Sequence, residues 1–93
     1  MVATTLNGLT IEASDVTGQK TVRVRNIPAD GTVGDLVRSL VPRMSLVGQV
    51  DGRPLTYGAR LEREGRHLNG AERVSDALLN EDRIVLLPSV DAG

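Results

Sequence analysis

Leu9-Thr10-Ile11-Glu12-Ala13-Ser14, then Asp15-Val16-Thr17-Gly18-Gln19-Lys20, then Thr21-Val22-Arg23-Val24-Arg25 is the stretch whose reading decides the fold. Leu9, Ile11 and Ala13 alternate with Thr10, Glu12 and Ser14, and Val22, Val24 and then Ile27 alternate with Arg23 and Arg25. A period of two sends successive side chains to opposite faces, so the chain opens with two half-buried strands. Residues 15–20 join them, and Gly18 supplies the positive φ that a bulged hairpin turn requires.

Pro28, Asp30 and Gly31 then break the alternation. Thr32 begins T-V-G-D, in which its hydroxyl caps a helix and Asp35 completes a capping box, so a helix starts at Val33. Val33, Leu36, Val37 and Leu40 line one face at spacings of three and four, Pro42 sets the end, and the apolar stripe packs on the hairpin. Leu46, Val47 and Val50 make a short strand before a turn at Asp51 and Gly52. Leu55, Tyr57, Ala59 and Leu61 alternate with Thr56, Gly58, Arg60 and Glu62, which gives a strand with one apolar and one polar face. Glu64 and Gly65 turn it into a brief partner around His67 and Leu68. After a turn at Asn69 and Gly70, Val74, Ala77 and Leu78 support one helical turn. Residues 83–87 are continuously apolar after Arg83, the mark of a strand in the middle of a sheet.

Ninety-three residues suit one small domain with one modest core. Tyr57 is the single aromatic residue, so that core is aliphatic. Eleven basic and twelve acidic side chains leave a net charge of -1, too little to draw in nucleic acid or anionic lipid. With no cysteine there is no disulfide framework, thiol nucleophile or cysteine-based metal site. His67 is the lone histidine, without a cluster of further ligands, and no metal or other cofactor is expected. Ser39, Ser45, Ser75 and Ser89 have only His67 as a base to share, and no phosphate-cradling glycine loop is present, so no enzymatic activity is expected. No run approaches membrane-spanning length and residues 1–7 lack a targeting pattern, which implies a cytoplasmic chain. Ten arginines to one lysine, with much Ala, Gly and Val, are the coding bias of a GC-rich bacterial genome.

Pro88, Ser89, Val90, Asp91, Ala92 and Gly93 follow the last apolar run directly. These small residues extend by up to about 20 Å and fit a narrow active site. The expected division is a leader at 1–8, a domain at 9–87 and a flexible tail at 88–93.

The hairpin turn T-G-Q-K-T, the helix opening I-P-A-D-G-T-V, and L-E-R-E-G-R-H-L followed by R-V-S-D-A-L resemble ubiquitin and its relatives. Gly65, Leu68, Ser75, Asp76, Ile84, Leu86 and Gly93 fall at the family's turn, short strand, helical turn, last strand and terminal glycine. The resemblance is greatest to bacterial ubiquitin-like modifiers and implies an α+β, ubiquitin-like β-grasp fold, a mixed sheet of four to five strands with one packed helix. It also implies conjugation at Gly93, whose carboxylate is adenylated and passed to a target. The partners would be activating-enzyme-like, conjugating-enzyme-like and deconjugating-peptidase-like proteins and the protein targets, with the modifier itself a monomer. Glycine at the reacting end leaves the carbonyl open and its backbone unrestricted. Ala92 departs from the family's double glycine, and Ser89 and Asp91 replace its tail arginines, so Ser89, Val90 and Asp91 would be read by a dedicated set of enzymes. Glu62 stands where the family's apolar receptor patch needs an apolar residue, which makes Arg60, Glu62, Arg66 and Leu87 the expected partner surface. Lys20, the only lysine, and the amine of Met1 are the acceptors available for modifier chains. A sulfur carrier of the thiamin or molybdopterin type and an adaptor domain without tail chemistry share the same fold and remain alternatives.

Overall fold

A computed structural model of the chain describes residues 8–46 and 48–90. Its elements run β1 (Gly8–Asp15), β2 (Thr21–Pro28), α1 (Val33–Arg43), β3 (Gln49–Val50), β4 (Arg53–Leu61), β5 (Arg66–Leu68), α2 (Val74–Ala77) and β6 (Arg83–Val90). The strands lie in the order β2-β1-β6-β4, and the far edge of β4 carries β3 at one end and β5 at the other. A four-stranded sheet thus gains a fifth position shared by two short strands. β1 and β6 pair in parallel, while all the other pairs are antiparallel. Parallel neighbours need a crossover, and the helical segment supplies it while covering one face of the sheet.

The hairpin turn forms as its residues require. Gly18 has φ +76°, and its amide reaches the Asp15 carbonyl at 3.1 Å. The Asp15 carboxylate accepts the Thr17 hydroxyl at 2.9 Å, which fixes the turn from within. β2 departs from simple alternation. Its register with β1 shifts between Leu9 and Ile11, so Arg25 and Asn26 occupy the space opposite Thr10, with Asn26 at φ +59°. This bulge turns Ile27 back to the core face, three residues after Val24.

Thr32 caps α1, accepting the Asp35 amide at 3.1 Å, and Asp35 answers at the Thr32 amide. Pro42 lies inside the helix instead of ending it. In the last turn its missing N–H costs one bond, and the chain closes beyond it with Ser45 at φ +55°. There the Ser45 amide bonds the Pro42 carbonyl at 3.1 Å and the Leu46 amide bonds Val41 at 3.0 Å, a Schellman closure built on serine.

Ile11, Leu40, Leu61, Ile84 and Leu86 are fully buried at the centre of an aliphatic core, with Tyr57 half-buried at its margin. β6 holds the central place expected of it, yet its burial alternates: Ile84 and Leu86 are covered, Val85 and Leu87 only half so. The reason is that the helices occupy one face alone. The strand also runs to Val90 and not to Leu87, pairing with β4 as far as Leu55. Val47, placed in the short third strand from the sequence, lies outside the described residues.

Candidate functional site: the open sheet face and the tail

Cross-strand partners share a face of the sheet. The register Ser14↔Val85, Arg60↔Val85, Gly58↔Leu87 and Arg60↔His67 therefore puts these residues together on the face that no helix covers. Asp15 pairs with Leu86, which brings the first hairpin turn beside the same strand. Val16, 55% exposed, joins Val85 and Leu87 as the apolar floor of a shallow cavity of about 390 Å³. Arg60, Glu62 and Arg83 form its rim. Glu62 follows β4 directly, and its amide is fixed by the Arg83 carbonyl at 3.0 Å.

The open face around the cavity alternates in charge. Arg60 lies 3.9 Å from Glu62, Arg83 2.7 Å from Glu12, and Arg23 2.7 Å from Glu81. Exposed pairs of this kind add only ~0–1 kcal/mol to stability.

Of the four residues expected on this surface, Arg60, Glu62 and Leu87 come together and Arg66 does not. Arg66 pairs in register with Leu61, a core residue, and so belongs to the opposite face. There its guanidinium bonds Glu72 at 3.1 Å and Glu64 at 2.8 Å, contacts that raise its already high pKa. Register decides this, and register is not visible in the local pattern. Val16 was missed because a turn residue carries no periodicity. Its trace in the sequence is an apolar side chain between Asp15 and Thr17.

Among the tail residues, Ser89 and Val90 form the end of β6, opposite Thr56 and Leu55. Asp91, Ala92 and Gly93 lie outside the described residues. Lys20 closes the first turn, and its Nζ donates to the Ser45 carbonyl at 2.9 Å. No group of three His, Cys, Asp or Glu side chains that could hold a metal occurs among the described residues, and no described helix is long and apolar enough to cross a membrane.

A mixed sheet ordered β2-β1-β6-β4, a helix across one face and a short helical turn before the last strand define the ubiquitin-like β-grasp fold. Solved structures agree. Caldiarchaeum subterraneum ubiquitin superposes with a TM-score of 0.62 at 21% identity, over 94% of this chain and 100% of that one. A molecular mimic of SUMO that promotes DNA repair gives 0.64 at 22% identity, over 89% and 94%. A chain of the MycP5-free ESX-5 inner membrane complex gives 0.66 at 13% identity, where this chain spans 95% of its own length but 22% of that one. No protein-family model matches the sequence, and no curated protein matches it. At these identities the likeness establishes the fold.

Proposed function

We propose that the chain is a bacterial ubiquitin-like protein modifier, joined to targets through the carboxylate of Gly93. The observation that carries this reading is the course of β6. The central strand of the sheet leads the chain straight past the exposed Val16 and the half-buried Leu87 into a segment of small residues. A partner seated on the open face would have the tail running from the edge of its footprint. The chemistry follows from the poor reactivity of a carboxylate. A carboxylate oxygen attacks the α-phosphorus of ATP, pyrophosphate leaves, and the resulting acyl adenylate is attacked at carbon by an enzyme thiol or a target amine, with AMP leaving. In this scheme the chain supplies only the acyl group and the surface that orients it. Activating, conjugating and deconjugating proteins would contact Arg60, Glu62 and Leu87, with Ser89, Val90 and Asp91 read along the tail and Ala92 passing beside Gly93.

Likeness to a segment of a much longer ESX-5 chain favours the adaptor as second reading. One experiment separates the readings: incubation of the protein, and of a variant lacking Gly93, with lysate of its host and ATP, followed by intact mass. A ladder of conjugates that vanishes without Gly93 supports the modifier. A gain of sulfur on the free chain supports a carrier, and an unchanged mass supports the adaptor.

A further inference from the structure

β6 is held in two different ways along its length. From Arg83 to Leu86 it lies between β1 and β4, but the β1 pairing ends at Asp15↔Leu86. From Leu87 onward β4 is its one neighbour in the sheet among the described residues. The phase of that ladder is set by the bond from the Glu62 amide to the Arg83 carbonyl, 3.0 Å, which makes 62/83 a hydrogen-bonded pair. Such pairs alternate with non-bonded ones along antiparallel strands. The next bonded pairs toward the tail are therefore Arg60/Val85, Gly58/Leu87 and Thr56/Ser89, with Tyr57/Pro88 and Leu55/Val90 between them. Pro88 then costs the ladder nothing, because its nitrogen faces the side that β1 has left. There it also denies the edge to any further strand.

Past Leu87, Thr56/Ser89 is the one bonded pair of the backbone ladder among the described residues, and Pro88 is exposed. We propose that residues 88–90 are a detachable part of the tail, stored on β4 by the Thr56/Ser89 pair and peeled away when a partner's active site takes the carboxyl end. This rests on the modifier reading. Release of residues 88–90 from β4 adds about 10 Å, at full extension, to the reach of the tail. The Gly58/Leu87 pair remains closed in both states, so Leu87 keeps its place on the docking face while the tail lengthens.

Two measurements test this. In amide hydrogen exchange of the free protein, Val85 and Ser89 occupy equivalent bonded positions against β4. Ser89 should exchange on the order of 100-fold faster, as expected of a locally opening end, whereas rates within about threefold of each other would overturn the proposal. The chain has no cysteine, so Leu55→Cys with Val90→Cys, a directly opposed pair, places a single disulfide across the latch. Oxidised, that variant should give no conjugates in host lysate with ATP, and kept reduced it should give the parent ladder. Conjugation of the oxidised form at the parent level would show that release is not needed. A parent that forms no ladder at all sinks the modifier reading instead, and the exchange ratio then decides whether the segment detaches.

Discussion

Arg63 grips the carboxylate of Asp82 at both oxygens, Nε to Oδ1 at 2.9 Å and Nη2 to Oδ2 at 3.1 Å. Asp82 is only 6% exposed and also accepts the Leu79 amide at 2.8 Å, so the loop that launches β6 is tied to the turn that ends β4. Asp82→Ala strips both partners at once. It should cost about 2 kcal/mol, a fall in Tm of roughly 8–16 °C for a domain of this size. Glu64→Ala removes an exposed partner of Arg63 and should stay within about 0.5 kcal/mol. Thermal melts compare the two, and equal losses would contradict the assignment.

Acid should unfold the protein through its carboxylates. Burial pushes Asp82 and Asp15 up, but the Arg63 guanidinium in one case and the Thr17 hydroxyl with turn amides in the other outweigh it and hold both below the ordinary value of 3.8. The Thr32 hydroxyl lowers Asp35, and Arg66 lowers Glu64 and Glu72. A group whose folded pKa is depressed stabilises fully above its unfolded pKa, and the contribution is lost as pH falls through the folded value. Stability in urea should therefore be level from about pH 8 to 5 and drop below about 4.5. A rise in stability between pH 5 and pH 3 would contradict this.

Gly34 approaches the backbone of Gly70 closely: its amide donates to the Gly70 carbonyl at 2.9 Å, beside the Val33 amide on Glu72. A Cβ at position 34 would lie 3.2 Å from that carbonyl oxygen, which cannot retreat without giving up the bond. Alanine favours a helix over glycine by about 1 kcal/mol, yet Gly34→Ala should still lower stability, by about 1 kcal/mol net. Gly48→Ala, where the added carbon meets open space, should be nearly neutral in the same chemical denaturation.

The features legible in the sequence are those in which a side chain answers its own backbone. Thr32 and Asp35 announce the helix start, Gly18 the first turn, and Asp51 with Gly52, at φ +53° and +76°, the tight connection from β3 to β4. What escaped depends on partners distant in the chain. The bulge at Arg25 and Asn26 left one trace, the three-residue step from Val24 to Ile27. The sequence pattern ends the last strand at Leu87, but the ladder phase turns the Pro88 nitrogen to an edge that needs no donor, and β6 runs on to Val90. Arg60 and Arg66 look alike along the chain, and only the pairing of β4 with β5 sends them to opposite faces.

Lys20 bonds the carbonyl of Ser45, the residue that closes α1, so the sole lysine has a structural occupation. An amine engaged with that carbonyl must give up the bond before it can attack an acyl donor. Lys20→Arg preserves the positive charge and should leave the pattern of conjugates in host lysate unchanged on a denaturing gel. Loss of the larger conjugates would instead make Lys20 an acceptor.

Leu87 is half-buried beside Val16 and Val85, on the face away from the core. Burying such a side chain against a partner contributes about 1.5–3 kcal/mol, and a carboxylate in its place would be desolvated beside Glu62. Leu87→Asp should therefore reduce conjugate formation at least ~10-fold while Tm moves by only a few degrees, because the core on the other face is untouched. Arg66→Ala provides the contrast. Its ion pairs lie under the opposite face, so it should lower Tm slightly and leave conjugation as it was. Gel densitometry and melting curves on the two variants decide the matter: a reversed pattern, with Arg66 needed for conjugation and Leu87 dispensable, would move the docking surface to the helical side.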